Sequence, residues 1–225
     1  MSDEELKEMT SKFKEEIKNG KTLDDILVDA LAVCREVTKR QLGMFHYNVQ
    51  LEAAVAMHDN AIAEMKTGEG KTLVQILSAY LNALEGKGVH VITSNDYLAG
   101  RDMDQNIKVF EALGLSCGNV LPKAKMSTKD RRAVYDCDIV YGTASTIAFD
   151  YLADNRVMNP NDRVNRKGFN YAIIDEVDSI LLDDGITPLI SAETLKPGDG
   201  EPSDKYTSIY KWACDFVEDN GITCK

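Results

Sequence analysis

A chain of 225 residues with 44% hydrophobic side chains holds enough apolar material for one large domain, or for one domain with an appendage. Its net charge of −11, from 37 acidic against 26 basic residues, lacks the basic footprint of a duplex-binding protein, so no nucleic-acid partner is expected. No apolar run approaches the roughly 18 residues of a membrane-spanning helix. The acidic start Met1-Ser2-Asp3-Glu4-Glu5 has neither the basic opening nor the apolar core of a signal peptide, and the five cysteines (Cys34, Cys117, Cys137, Cys214, Cys224) form no Cys-x-x-Cys pair. A cytoplasmic protein with free thiols is expected.

In chain order, Ser2 with Glu5 three residues on predicts a capped helix running to Asn19-Gly20. Thr22-Leu23-Asp24-Asp25 begins a second helix, whose apolar residues Ile26, Ala30, Val33 and Val37 make one buried stripe. A third helix is predicted over residues 50–57. Residues 61–65 read as a short buried strand, and 73–84 as a helix. From there strands and helices alternate: strand 89–93, helix 96–113, strand 117–121, helix 127–135, strand 138–143, helix 145–152. A loop rich in Asn, Asp, Arg and Pro (155–168) leads to the apolar run Tyr171-Ala172-Ile173-Ile174, which suits a central parallel strand covered on both faces. Such alternation implies an α/β fold, a parallel sheet with helices on both faces, preceded by N-terminal helices. Composition shifts after Ile190: 195–203 is a loop or linker, and 206–217 has the spacing of an amphipathic helix with Trp212 and Phe216 on its apolar face.

Two segments carry the chemistry, and both lie at carboxyl ends of strands, where ligands of such sheets bind. The first is Thr67-Gly68-Glu69-Gly70-Lys71-Thr72, between a strand and a helix. Its glycines let backbone N–H groups curl around an anion, and the helix N-terminus adds a favourable dipole. Lys71 is placed to reach the outer phosphates of a nucleoside triphosphate, and the Thr72 hydroxyl to ligate Mg2+. The general phosphate-loop pattern starts with Gly or Ala five positions before Gly70; Met65 stands there. The second segment is Asp175-Glu176-Val177-Asp178. Asp175 would hold the magnesium through water, and Glu176 would orient and polarise the attacking water as catalytic base. Each segment has a plainer reading, a glycine-rich turn with an incidental Lys-Thr and a solvated strand end. The pairing of the two in the right context favours a P-loop ATPase.

The residues also resemble one family, the SecA motor ATPases of bacterial protein export, colinearly from Asp3 to about Val217. The blocks that carry the resemblance are Leu23-Asp24-Asp25-Ile26 onward, Leu42-Gly43-Met44-Phe45-His46-Tyr47-Asn48-Val49-Gln50-Leu51, the phosphate loop including Met65, Gly88 to Ala99, Asp175 to Leu181, and Thr187-Pro188-Leu189-Ile190. The resemblance implies a RecA-like, DEAD-like nucleotide-binding motor domain over residues 1–190, with a helical N-terminus over 1–58, followed by the truncated start of a preprotein cross-linking domain over 191–225. It implies that Gln50 reads the adenine edge through its amide, that Thr67, Gly68, Glu69, Gly70, Lys71 and Thr72 form the phosphate cradle for ATP or ADP, and that Lys71 and Glu176 are the catalytic pair. Partners implied are a preprotein and a protein-conducting channel, with peripheral membrane association, and a homodimer or completion by another polypeptide.

Departures from the family pattern fall in segments that transmit nucleotide state. Ala99-Gly100-Arg101-Asp102 replaces one arginine by glycine, and Ala144-Ser145-Thr146 and Asp183-Asp184-Gly185-Ile186 lack the usual Asn-Asn-Glu and Ala-Arg. The resemblance further implies that the end of the first motor fold and the whole second motor domain lie outside this sequence. Two other readings stand beside a translocase motor. A nucleic-acid helicase shares the phosphate loop and acidic pair, but the acidic charge and Val177 disfavour it. A nucleotide-binding module without turnover fits the short length.

Overall fold

The computed structural model describes residues 1–190 together with Trp212 and Ala213. The chain divides into two units, Met1–Leu189 and Ile190–Lys225, and the architecture below is that of the first. The loop expected over 195–203 and the helix expected over 206–217 lie outside the described residues, apart from Trp212 and Ala213, which are helical and exposed.

Helix starts are written in short polar side chains. Ser2 Oγ accepts from Glu5 N while the Glu5 carboxylate accepts from Ser2 N at 2.6 Å, and this reciprocal cap opens α1, Asp3–Lys18. Thr22 and Asp25 repeat it at the start of α2, Leu23–Leu42, which stops where Gly43 takes a left-handed φ of 67°. Helix α3, Asn48–His58, follows, and then α4, Lys71–Ala83, whose residues from Val74 to Ala83 are all buried. The buried hydroxyls of Thr10 and Tyr80 meet at 2.9 Å and join α1 to α4.

After α4 the chain alternates: β1 Val89–Thr93, α5 Asp96–Ala112, β2 Cys117–Asn119, α6 Thr128–Tyr135, β3 Ile139–Thr143, α7 Ala144–Asp154 and β4 Tyr171–Ile174. The strands pair in parallel in the order β2-β3-β1-β4, with Val89 opposite both Ile139 and Tyr171. Val89, Val91, Ile139, Tyr141 and Ile173 share one core with residues of α1, α2, α4 and α5, whereas Val120, Val140, Tyr135 and Ile147 form a smaller cluster beside α6 and α7. This is the expected RecA-like α/β arrangement, preceded by helices. Among the described residues no helix is long and apolar enough to cross a membrane.

Two strand expectations are corrected. Residues 61–65 form no strand: the segment leaves α3 after Asn60, runs outside any sheet, and leaves Ile62 80% exposed. And β4 is not central. It closes the described sheet at one edge, with Ala172 exposed. The two corrections have one cause, because a strand exists only where a neighbour pairs with its N–H and C=O groups. Neither the free side of β4 nor residues 61–65 have such a neighbour among the described residues.

The long connection into β4 is pinned by buried charge. Arg131 and Asp150, 2% and 1% exposed, meet at 2.5 Å; Tyr135 adds its hydroxyl to the same carboxylate and Arg131 also donates to the Leu121 carbonyl. One turn along α7, the Asp154 carboxylate accepts from the backbone N–H groups of Val164 and Asn165. Lys167 donates to the carbonyls of Asp136 and Cys137 at the end of α6, and Arg166 pairs with Asp136. Those basic residues complement the negative end of a helix.

His90 sits beside this connection, 2% exposed in β1, its ring 4.9 Å from that of Phe169, with no hydrogen-bond partner for either nitrogen. Burial pushes its pKa down to about 4. The unfolded chain protonates this ring near pH 6.5, so between pH 6.5 and 4 the unfolded state binds a proton that the folded state refuses. Stability therefore falls as pH falls, by up to about 1.4 kcal/mol per pH unit over that window. His90→Leu is expected to shrink the loss of denaturation midpoint between pH 7 and pH 5, leaving the part that comes from His46, also depressed by burial. An unchanged loss in the variant would assign the acid sensitivity elsewhere.

Candidate functional site

The loop before α4 is shaped by its own side chains. The Glu69 carboxylate accepts from Lys66 N at 2.7 Å, and Glu69 N donates to the Lys66 carbonyl, closing a tight turn. Gly68 and Gly70 have φ of 87° and 82°, a region that costs L side chains energy, and Gly70 caps α4. The backbone N–H groups of Thr67, Gly68, Gly70, Lys71 and Thr72 have no acceptor among the described residues. Free N–H groups around left-handed glycines, at the start of a 13-residue helix, make a concavity with the chemistry that suits an anion. Lys71 is exposed and Thr72 half-buried at its rim.

Gln50 ties the loop to the N-terminal helices. Its Oε1 accepts from Tyr47 N at 2.9 Å and its Nε2 donates to the Glu69 carbonyl at 2.8 Å, so both ends of the amide are already engaged. One N–H and one lone pair are left over, the complement of an adenine edge. His46, fully buried, bonds the Leu73 carbonyl through Nε2 at 2.9 Å; Arg35 donates twice to the His46 carbonyl and lies 3.9 Å over the Phe45 ring. Burial keeps the His46 ring below its ordinary pKa. The neutral ring then donates from Nε2. Residues 45–50 and the first turn of α4 thus form one hydrogen-bonded block.

The acidic segment continues the β4 ladder, since Asp175 N donates to the Ile92 carbonyl at 2.9 Å. Lys71 and Asp175 line one cavity of about 60 Å³ together with Ala63, Met65 and Gln75. Glu176 does not line it. It is exposed, has a left-handed φ of 53°, and its N–H donates to the Asp175 carboxylate. The structure therefore brings Gln50, the loop, Lys71 and Asp175 into neighbouring positions, with the exposed Glu176 beside Asp175. Asp178 is exposed.

Two residues at this edge were not assigned a role from sequence. Arg101 grips the buried Asp102 carboxylate through two nitrogens at 2.9 and 2.6 Å; those bonds raise its pKa most, and the negative charge of Asp175 adds to the effect. It sits in the Ala99-Gly100-Arg101-Asp102 block, the only sequence signal for it. Gln75 is 3% exposed with no partner for Oε1, and nothing in its surroundings along the chain marks it.

A Cβ at Gly70 would lie 2.5 Å from Gln50 Nε2, in addition to the strain of the left-handed backbone. Gly70→Ala is expected to cost about 1 kcal/mol or more of stability, and to release the Gln50 bond to Glu69. Chemical denaturation, with the Gln50 side-chain amide resonances as a second readout, checks this; unchanged values for both would show the loop adapts freely.

Residues 1–221 match the family model of the SecA DEAD-like domain. The chain is 54% identical over 217 residues to protein translocase subunit SecA 1 of Clostridioides difficile (strain 630), covering 96% of this chain and 23% of that protein. It is 53% identical over 223 residues to protein translocase subunit SecA of Finegoldia magna, covering 99% of this chain and 23% of the relative. Protein translocase subunit SecA 2 of Clostridioides difficile is 52% identical over 218 residues, 97% of this chain and 26% of the relative. The chain spans about a quarter of the length of these relatives. A parallel sheet with a glycine loop opening a buried helix, matched at this identity along nearly its whole length, belongs to the SecA DEAD-like domain family.

Proposed function

We propose that this chain is a nucleotide-binding motor segment of a protein-translocating ATPase, binding ATP or ADP with Mg2+ at the loop of Thr67 to Thr72. The observation that carries the reading is the set of five unpartnered backbone N–H groups beside Lys71, with Asp175 lining the same cavity as that lysine. Magnesium suits these residues: it keeps most of its water and needs only one or two protein oxygens besides those of a nucleotide. Thr72 and Asp175 would supply them, and the bound ion would neutralise phosphate charge. Gln50 would take the adenine edge with its spare N–H and lone pair. Residues 191–225 would begin a preprotein-contacting domain; preprotein and channel contacts, at the cytoplasmic face of a membrane, belong to the longer protein of which the relatives are examples. A helicase role has less support. Of the basic residues Arg156, Arg163, Arg166 and Lys167 in the connection before β4, Arg166 and Lys167 hold the end of α6 and so are committed within the fold. Stimulation of ATPase activity by RNA rather than by an unfolded preprotein would favour that role.

Lys71→Ala is expected to remove most of the affinity for MgADP, at least tenfold, because the point charge on the phosphates is lost and only the backbone cradle remains. Calorimetry on wild type and variant checks this, and equal affinities would sink the phosphate-site assignment.

Turnover by the isolated chain is expected to be very slow. Glu176 is exposed, and among the described residues no side chain holds its carboxylate in place for a water. Charge supplied by a neighbouring domain contributes on the order of 10³–10⁵ in phosphoryl transfer. Steady-state phosphate release should sit near background; fast turnover that Glu176→Gln abolishes would overturn this.

The fold also asks for more polypeptide. Between residues 60–63 and β4 runs a groove of about 240 Å³, lined by Met57, Ala61, Ala63, Ala172, Ile173 and Val177. We read it as the place of a further parallel strand from the longer protein. The isolated chain should bind an apolar-surface dye and self-associate, and a dye-silent, monodisperse monomer by light scattering would show the fold is self-sufficient.

A further inference from the structure

Helix α2 is apolar on two faces. One face gives Ile26, Ala30, Val33, Cys34 and Val37 to the core. The other leaves Val28 76% exposed and Ala32 exposed; with Leu27, Leu31, Phe45 and Leu51 these residues wall a groove of about 480 Å³. Phe45 is itself 48% exposed, and the Arg35 guanidinium lies 3.9 Å from its ring centroid. Contiguous apolar surface left open in this way marks an interaction site. No residue of this groove lines the one beside β4 or the cavity of Lys71 and Asp175, so it is a separate surface.

We propose that this face seats a second copy of the chain, with α2 packed antiparallel against α2 of the partner subunit. The order of side chains along the helix selects that occupant. Helices pack by rows of residues at four-residue spacing. Two such rows lie side by side on the open face, Asp24-Val28-Ala32-Glu36 and Leu27-Leu31-Arg35-Lys39. A twofold axis between Leu31 and Ala32 exchanges one row with the other. Asp24 then meets the partner's Lys39, Val28 the partner's Arg35, Ala32 the partner's Leu31 and Leu27 the partner's Glu36. The small Ala32 falls at the crossing, where it lets the two backbones approach. Opposite charges fall at both ends of the contact, as a self-complementary interface requires. The Asp24 side chain is 78% exposed, with a bond of 3.3 Å to His58 at its side. Lys39 is exposed, its ammonium 5.6 Å from the Phe45 ring, and has no carboxylate partner among the described residues. Arg35 is already fixed by its two bonds to the His46 carbonyl, so its stem is a ready wall for Val28 and needs no further ordering. An unrelated amphipathic helix could fill the apolar groove, but nothing would make it repeat this charge order in reverse.

The test is sedimentation velocity on the whole chain over a concentration series at low salt, with circular dichroism to check that each variant folds. The variants are Ala32→Glu, Asp24→Lys, Lys39→Asp, and an equimolar mixture of the last two; Val28→Lys, at another exposed position of the face, stands in if Ala32→Glu does not fold. Wild type is expected to form a dimer. Ala32→Glu should raise its Kd roughly a hundredfold, because two carboxylates then face each other beside the axis. Each charge reversal should raise Kd roughly tenfold at low salt. The mixture should recover near wild-type association, since in the mixed dimer every Lys and Asp at these positions again faces its opposite. A wild type that stays monomeric, or one whose association survives Ala32→Glu and both reversals, would overturn the proposal; the second result would assign association to the open edge of β4. Weakening in both reversals with no recovery in the mixture would overturn the antiparallel pairing and leave the groove to a helix of other sequence.

Discussion

Everything at the ligand-binding edge depends on the burial of α4. A surface helix buries one stripe; α4 buries every residue from Val74 to Ala83, because α2 and α3 cover one side and β1 and β4 the other. Val74, Ile76, Leu77, Tyr80 and Leu81 are at most 1% exposed, and at roughly 1.5–3 kcal/mol for each fully buried large apolar side chain their packing outweighs the cost of holding the strained loop at their head. Gly68 and Gly70 hold left-handed conformations, and five N–H groups of the loop stay without an acceptor among the described residues, at the head of a helix buried on all sides.

A second layer of constraint comes from hydrogen bonds that reach backwards along the chain. Gln50 and His46 precede the loop by some twenty residues in sequence, yet they bond the Glu69 and Leu73 carbonyls. A loop carbonyl and a carbonyl of the first helical turn thus both accept from one segment, which Arg35 anchors in turn by its two bonds to the His46 carbonyl. A displacement of residues 45–50 by a ligand would be felt at both ends of the phosphate loop. The Gln50 amide, with one bond to Tyr47 N and one to the Glu69 carbonyl, physically links the segment before α3 to the glycine loop.

What was legible in the sequence follows from which forces are local. Helix starts at Ser2, Thr22, Asn95, Ser127 and Thr143 could be read or bracketed to within a few residues, because a cap is made by side chains three positions apart. The phosphate loop was legible because its glycines, lysine and threonine act through neighbouring backbone. The four strands of the described sheet were legible too, but their pairing was not, because pairing is non-local: residues 61–65 have a strand's composition but no partner among the described residues, and the apolar run of β4 suited a central position that the described sheet does not give it. Gln75 was invisible for another reason. On a helical wheel it falls among buried apolar neighbours, and only the fold reveals that its oxygen has no hydrogen-bond partner among the described residues.

The free edge of β4 and the conformation of Glu176 share an origin. Asp175 is still held by the ladder through its bond to the Ile92 carbonyl, whereas Glu176, one residue on, has left it and turned to a positive φ with only its neighbour's carboxylate for support. A non-glycine residue keeps such a backbone only when its surroundings demand it, and here no packing does so, since Glu176 is exposed. A strand seated against β4 would extend the ladder on its open side and limit where the chain can turn after Asp175.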